Sequence, residues 1–230
     1  MDLEKIYENR FASTRVYRNR VWKILCRDFF GRYVKPADAV MDLGCGYGEF
    51  INNIQGTDKY GMDLNAGVKD MLGDGVTFLA HDCSQTWPLP DQSLDVVFSS
   101  NFFEHLPDKE ALSETFAEIR RCLRPGGRLI AMGPNINRTQ GAYWDFWDHH
   151  LPLTERSMRE LLEVNDFDIE LCRRSFMPYT LVDAIQYPEF MIKLYLRLPI
   201  CWHVFGKQFL IIATTPGVTE SQDSHNETGT

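Results

Sequence analysis

Apolar residues along this chain fall into short runs separated by glycine, proline and polar turns, and the runs alternate between strand-like and helix-like spacing. Residues 3–35 mix aromatic, basic and acidic side chains, with no glycine or proline before Gly31. Within them Val21, Ile24, Leu25 and Phe29 share a stripe at three- and four-residue spacing, which predicts an N-terminal cap of one or two helices over residues 1–35. Ala39–Leu43 is an apolar strand that runs into a glycine-rich turn, with a short helix expected over Glu49–Ile54. Tyr60–Leu64, Val76–Ala80, Leu94–Ser99 and Arg128–Met132 carry the same strand signal, and Asn65 is placed to cap a helix. Between the last two, Asp108–Leu123 repeats Leu112, Phe116, Ile119 and Leu123 on one helical face until Pro125-Gly126-Gly127 ends it.

The second half continues the alternation. Thr154 caps a helix with Glu155 and Glu160 in its first turns, and Phe167–Leu171 and Gln208–Ala213 supply the last strands. Strands alternating with helices predict an α/β fold: a doubly wound, seven-stranded, mostly parallel sheet covered on both faces, preceded by the N-terminal helices. The main domain is expected over residues 36–216, with insertions near 135–153 and 177–206; residues 217–230 are almost wholly polar and expected to be disordered. Ligands of such sheets bind beyond the carboxyl ends of the strands, which draws attention to loops 44–49, 63–66, 81–90, 99–107 and 133–150.

At 230 residues the chain can bury one substantial core. Its 24 Lys and Arg against 32 Asp and Glu give a net charge of -8, which makes broad binding to nucleic-acid backbone an unlikely partner class. Six scattered cysteines without a CxxC pair suggest neither a zinc site nor a disulfide framework. The charged N-terminus does not fit a signal peptide, and no apolar run reaches the ~18 residues of a membrane span. The cytoplasm is the expected location.

Gly44, Gly46 and Gly48 lie between a strand and a turn, where glycine lets backbone approach a ligand. A dinucleotide fingerprint fails in both frames: the third glycine falls on Glu49 or on Ile51. A Walker A loop fails because no Gly-Lys-Ser/Thr follows. Asp63 stands 19 positions after Gly44 and is a strong acceptor for a diol, a feature shared by several nucleoside-binding folds.

The segment Asp42-Leu43-Gly44-Cys45-Gly46-Tyr47-Gly48 resembles the first motif of class I S-adenosylmethionine-dependent methyltransferases. The similarity continues through His81-Asp82-Cys83, Leu94-Asp95-Val96-Val97, Asn101–Asp108 and Leu123–Gly127, in the family's order over residues 40–135. It departs in the helix after Gly48, since only 14 residues precede Asp63. The resemblance implies S-adenosyl-L-methionine as cofactor, held by Asp42, Gly44, Cys45, Gly46, Gly48, Asp63, Leu64, Asp82, Cys83 and Asn101. It also implies methyl transfer to a small-molecule acceptor, oxygen being the expected atom, with a quinone-biosynthesis-like branch the nearest in motif. RNA or protein methylation and a non-catalytic cofactor-binding role are the alternatives; the D/N-P-P-Y/F motif of amide-base methylation is absent, with Ser99-Ser100-Asn101-Phe102 in its place.

Acceptor chemistry falls on three histidines. His105 resembles a position common in small-molecule methyltransferases, and His149 and His150 follow the aromatic stretch Tyr143–Asp148. One of His149 and His150 is expected to bind or deprotonate the acceptor, with Tyr143 and Trp147 as the wall and no metal. Tyr187–Phe209 combines apolar and aromatic residues with Lys193, Arg197, His203 and Lys207, broken by Pro188 and Pro199. Three readings are open for it: an insertion covering the sheet, the wall of a hydrophobic acceptor site with peripheral contact to the inner face of a membrane, or a homodimer face in place of a monomer.

Overall fold

The computed structural model describes residues 14–179 and 186–217. The chain forms α1 (Arg15–Asp28), β1 (Ala39–Leu43), β2 (Asp58–Met62), β3 (Val76–Leu79), β4 (Leu94–Ser100), α2 (Lys109–Cys122) and β5 (Leu123–Pro134). There follow α3 (Ile136–Thr139), α4 (Glu155–Val164), β6 (Asp168–Arg173), α5 (Glu189–Arg197), α6 (Pro199–Phe205) and β7 (Gln208–Thr214). The strands make one seven-stranded sheet in the order β3-β2-β1-β4-β5-β7-β6. β7 runs antiparallel to both of its neighbours, and the other pairings are parallel. This is the mostly parallel, doubly wound sheet expected. Strand order reverses between β1 and β4, so the loops after these two strands flank the crevice where such sheets bind ligands.

Successive residues of a strand face opposite layers, and the core divides accordingly. Met41, Val97, Leu129 and Ile211 pack under α2 and α4, against Phe116, Ile119, Met158 and Leu162. Val40, Val96, Phe98, Ile130 and Ile212 pack on the other face, against Val21, Ile24 and Leu25 of α1 and Ile192, Leu196 and Trp202 of α5 and α6. Aromatic rings fill that second layer: Phe50 and Phe98 stack at 3.6 Å, and Phe29, Phe176 and Trp202 meet edge to face or tilted. The stripe Val21, Ile24, Leu25 and Phe29 is thus the buried side of the N-terminal cap. Residues 1–13 of the cap, 180–185 of the second insertion and 218–230 of the expected tail lie outside the described residues.

Local signals explain the element boundaries. Asp108 Oδ1 accepts the Ala111 N–H at 2.9 Å to start α2, and Thr154 and Ser157 form a reciprocal capping box on α4. Two expectations are corrected. Glu49–Ile54 is a succession of turns and not a helix: the Gly46 and Gly48 backbones are left-handed, and the Ile51 N–H bonds to Asp42. The strand expected at Arg128–Met132 spans Leu123–Pro134, because Leu123 already pairs with Leu94 before a bulge at the glycines.

Candidate active site

The loop after β1 is held as a cradle. Gly44 and Cys45 both donate to the Met62 carbonyl, at 2.9 and 3.0 Å, and Gly48 closes a turn on Cys45. Gly44 has φ +70°, and a Cβ there would stand 2.2 Å from the Phe102 ring, so only glycine fits between β1 and the loop after β4. Asp63 Oδ2 accepts the Gly46 N–H at 3.0 Å and Oδ1 the Asn65 N–H at 2.9 Å. Each oxygen keeps a lone pair, so the carboxylate ties the loop and can still accept from a diol. Leu64 beside it is exposed.

Acids gather under this cradle. Asp42 is buried, and desolvation holds its carboxyl well above the usual range, reinforced by Glu49 and Asp63. Burial likewise raises Asp63, against the N–H bonds of Asn65 and Gly46. Glu49 meets Arg18 of α1 at 2.9 Å. Apart from that arginine the site concentrates negative charge, an environment that favours a cationic ligand such as a sulfonium and disfavours a phosphate. These donor and acceptor positions fit S-adenosylmethionine.

A cavity of ≈ 730 Å³ opens from the cradle across the carboxyl end of β4 to α1, α5 and α6. Asp42, Gly44, Cys45, Gly46, Asn101, His105 and His149 line it among the residues singled out from sequence. Asn101 adopts φ +50°, a left-handed conformation asparagine tolerates, at the turn out of β4. The other positions fall elsewhere. Asp82 is exposed and caps a turn, accepting from Ser84 N–H and Oγ. The Cys83 thiol is buried in the core against Thr115 and pushed up to about 11, so only its backbone is available to a ligand. His150 is exposed and outside the cavity. Trp147, expected in the wall, is 84% exposed; Phe146 and Tyr179 line the cavity in its place, and Tyr143 is fully buried behind them.

His149, His105 and Glu104 converge in the wall of this cavity, with one ligand-type atom from each lying within 4.8 Å of the others. The Glu104 carbonyl accepts both the His150 and Leu151 N–H groups, at 2.8 and 3.1 Å, and this clasp brings the segment after β5 onto the loop after β4. His105 Nδ1 binds the Asp148 carbonyl at 2.9 Å and lies 3.3 Å from Oδ2 of Asp148. The His149 ring sits between those of Phe146, at 5.2 Å, and Tyr143, at 4.7 Å, while the Tyr143 hydroxyl donates to the Leu151 carbonyl. Burial pushes Glu104 up to about 8, with Asp148 adding repulsion. Two imidazoles and a carboxylate are also a set that a divalent metal accepts. His105 has Nδ1 engaged on Asp148, which orients Nε2, and burial favours the protonated form of Glu104, so the set suits proton handling as well.

Several residues of the site carry no sequence signal. Glu104 reads as an ordinary loop acid until its burial is seen, and Arg18 reads as a surface position on a helix. Gln208 opens β7 and borders the same cavity: its Nε2 donates to the Pro178 and Tyr179 carbonyls, while its Oε1 is fully buried with no hydrogen-bond partner among the described residues. Such an orphaned acceptor costs about 1–3 kcal/mol.

Residues 41–131 match the family described as a methyltransferase domain. Sterol 24-C-methyltransferase ERG6B of Gibberella zeae is 34% identical over 106 residues, which cover 41% of this chain and 27% of that protein. Demethylmenaquinone methyltransferase of Symbiobacterium thermophilum is 25% identical over 167 residues, 66% of either chain. The matched stretch thus spans from 27% to 66% of the length of these relatives. A SAM dependent methyltransferase from Archaeoglobus fulgidus superposes with a TM-score of 0.65 at 23% identity, covering 86% of this chain and 94% of that one.

Proposed function

We propose that this chain, a member of the class I S-adenosylmethionine-dependent methyltransferase family, transfers the cofactor's methyl group to an oxygen of a hydrophobic small molecule. The observation that carries the reading is the cavity shared by the acid-rich glycine cradle and an aromatic lining, with His149 in its wall. When bound, the cofactor supplies an electrophilic methyl on a sulfonium. Asp63 and the glycine-loop backbone would hold its ribose and methionine portions, the exposed Leu64 and Asp82 would border the adenine, and Asp42 with Glu49 would answer its positive charge. The chain's task is then mainly to orient the acceptor, an effect that reaches about 7–11 kcal/mol in ideal cases.

Apolar residues of α1, α5 and α6 hold the body of the acceptor, and its polar end faces Gln208 and His149. His149 takes the hydroxyl proton, with its ring held against Tyr143 and Phe146; His105, anchored on Asp148, orders the loop. The sterol and demethylmenaquinone methyltransferases among its relatives act on acceptors of hydrophobic type, which agrees with a chamber of this lining. The cytoplasm is our reading for its location, since all six cysteines are free thiols and four of them are buried. No described helix is long and apolar enough to cross a membrane, and α5–α6 offers a peripheral contact with the membrane's inner face in its place.

The test is S-adenosylhomocysteine release with a panel of hydrophobic phenols and hydroquinones. His149→Ala should lower turnover by about 10²–10⁴-fold, as for removal of a general base, while cofactor affinity stays within a factor of three or so. His150→Ala should be near wild type. Equal turnover for wild type and His149→Ala would overturn the assignment.

A further inference from the structure

Helix α5 carries three distinct stripes. At ~100° per residue, Ile192 and Leu196 point into the core, and Phe190, Leu194 and Met191 lie on the far side. Lys193 and Arg197 run along one edge between the two. Phe190 is 66% exposed, and Ile200 on α6 is 68% exposed, with Val204 and Phe205 beside it. Met191, Leu194, Leu198 and Phe205 belong at once to this exposed face and to the wall of the cavity. The apolar surface is therefore the rim of the cavity mouth. Its basic edge forms one side of a second cleft, of ≈ 500 Å³, shared with Arg32 and Arg173. Four cations line that cleft against one carboxylate, Asp28, which Arg27 already engages at 2.6 Å. Lys193 also lies 3.6 Å from Glu189, an exposed pair of little strength. In a chain of net charge -8, such a cluster beside an apolar rim is a marked local reversal.

We propose that α5, α6 and the Arg32–Arg173–Lys193–Arg197 cleft form a docking surface for an anionic phospholipid bilayer, which seats the cavity mouth in the membrane so that the acceptor enters from the lipid phase. The proposal rests on the hydrophobic-acceptor reading above and adds the partner and its charge. Phe190, Ile200 and Val204 insert at the level of the acyl boundary, and the cleft receives phosphate headgroups. Charge complementarity decides for this occupant: a neutral surface gives the four cations nothing to answer, and a second copy of the chain brings its own net charge of -8 against a molecule of the same sign.

The test uses the full chain in flotation with neutral phosphatidylcholine vesicles and with vesicles in which roughly a third of the lipid is phosphatidylglycerol. Binding is expected only to the anionic vesicles and should weaken steeply as salt rises. K193Q/R197Q should lower partitioning by about 30-fold, from the usual contribution of each basic residue near such a surface. F190S/I200S, at two positions that do not line the cavity, should reduce it by at least about tenfold while leaving cofactor binding and thermal unfolding unchanged. A wild-type chain that binds S-adenosylmethionine yet stays in the aqueous fraction overturns the docking surface and leaves the functional reading standing. Equal binding to neutral vesicles, or F190S/I200S dissolving a dimer without altering flotation, also overturns it. Failure of the wild type to bind the cofactor would sink the functional reading itself.

Discussion

Replacing Glu104 with Gln removes one buried titration and keeps the shape of the side chain. An unperturbed glutamate ionises near 4.5, whereas Glu104 in the folded chain is pushed up to about 8 by burial and by Asp148. Between those values the folded state holds a proton that the unfolded state has released, so stability falls as pH rises and levels off above about 8. The full difference corresponds to about 5 kcal/mol, of which about 3 kcal/mol develops between pH 5 and pH 7. For a chain of this size the latter is worth roughly 6–12 °C in melting temperature. Burial of the amide adds an offset that does not change with pH, and the raised Asp42 and Asp63 contribute the same slope to both proteins. Denaturant unfolding of wild type and Glu104→Gln at half-unit steps from pH 5 to about 8.5 should give two diverging curves, with the variant gaining relative stability as pH rises. Parallel curves would refute the claim that Glu104 is a neutral, desolvated acid beside His105 and His149.

Other consequences follow from single contacts. Gly44→Ala should abolish measurable cofactor binding and lower the melting temperature, since φ +70° and the Phe102 ring both oppose a methyl group; adding Phe102→Ala should restore part of the stability, read by thermal scan. Gln208→Met should loosen the cavity wall at Pro178 and Tyr179, whose carbonyls lose their donor, and raise KM for the acceptor with the cofactor Kd unchanged in titration calorimetry. On the proposed proton-handling role of the Glu104–His105–His149 cluster, dialysis of the protein against EDTA should leave turnover unaltered; loss of activity restored by a divalent ion would reverse that assignment.

What could be read from sequence was what local chemistry decides. A strand followed by glycines predicts β1 and its cradle, and Asn65, Asp108 and Thr154 cap where short polar side chains before helical runs should. The Glu49–Ile54 turn escaped because its apolar residues sit at helix-like spacing, while the left-handed glycines and the bond from Ile51 to Asp42 depend on the folded loop. Neighbouring histidines could not be told apart: the clasp of Glu104 on His150 and Leu151 turns His149 inward and leaves His150 in solvent. That clasp joins loops from two different strands, 43 positions apart between His105 and Asp148, and no pattern within either segment encodes it. Arg18 and Gln208 are further cases: each reaches the cavity through packing of α1 and of β7 on the sheet.

The central claim, that one cavity delivers a cofactor methyl to a hydrophobic molecule, is tested most directly by following the methyl. The full chain would be incubated with methyl-labelled S-adenosylmethionine and a total membrane lipid extract, and the products partitioned between organic and aqueous phases. The account predicts label in the organic phase, lost in His149→Ala. Label confined to protein, nucleic acid or water-soluble products, with cofactor consumed, would contradict it.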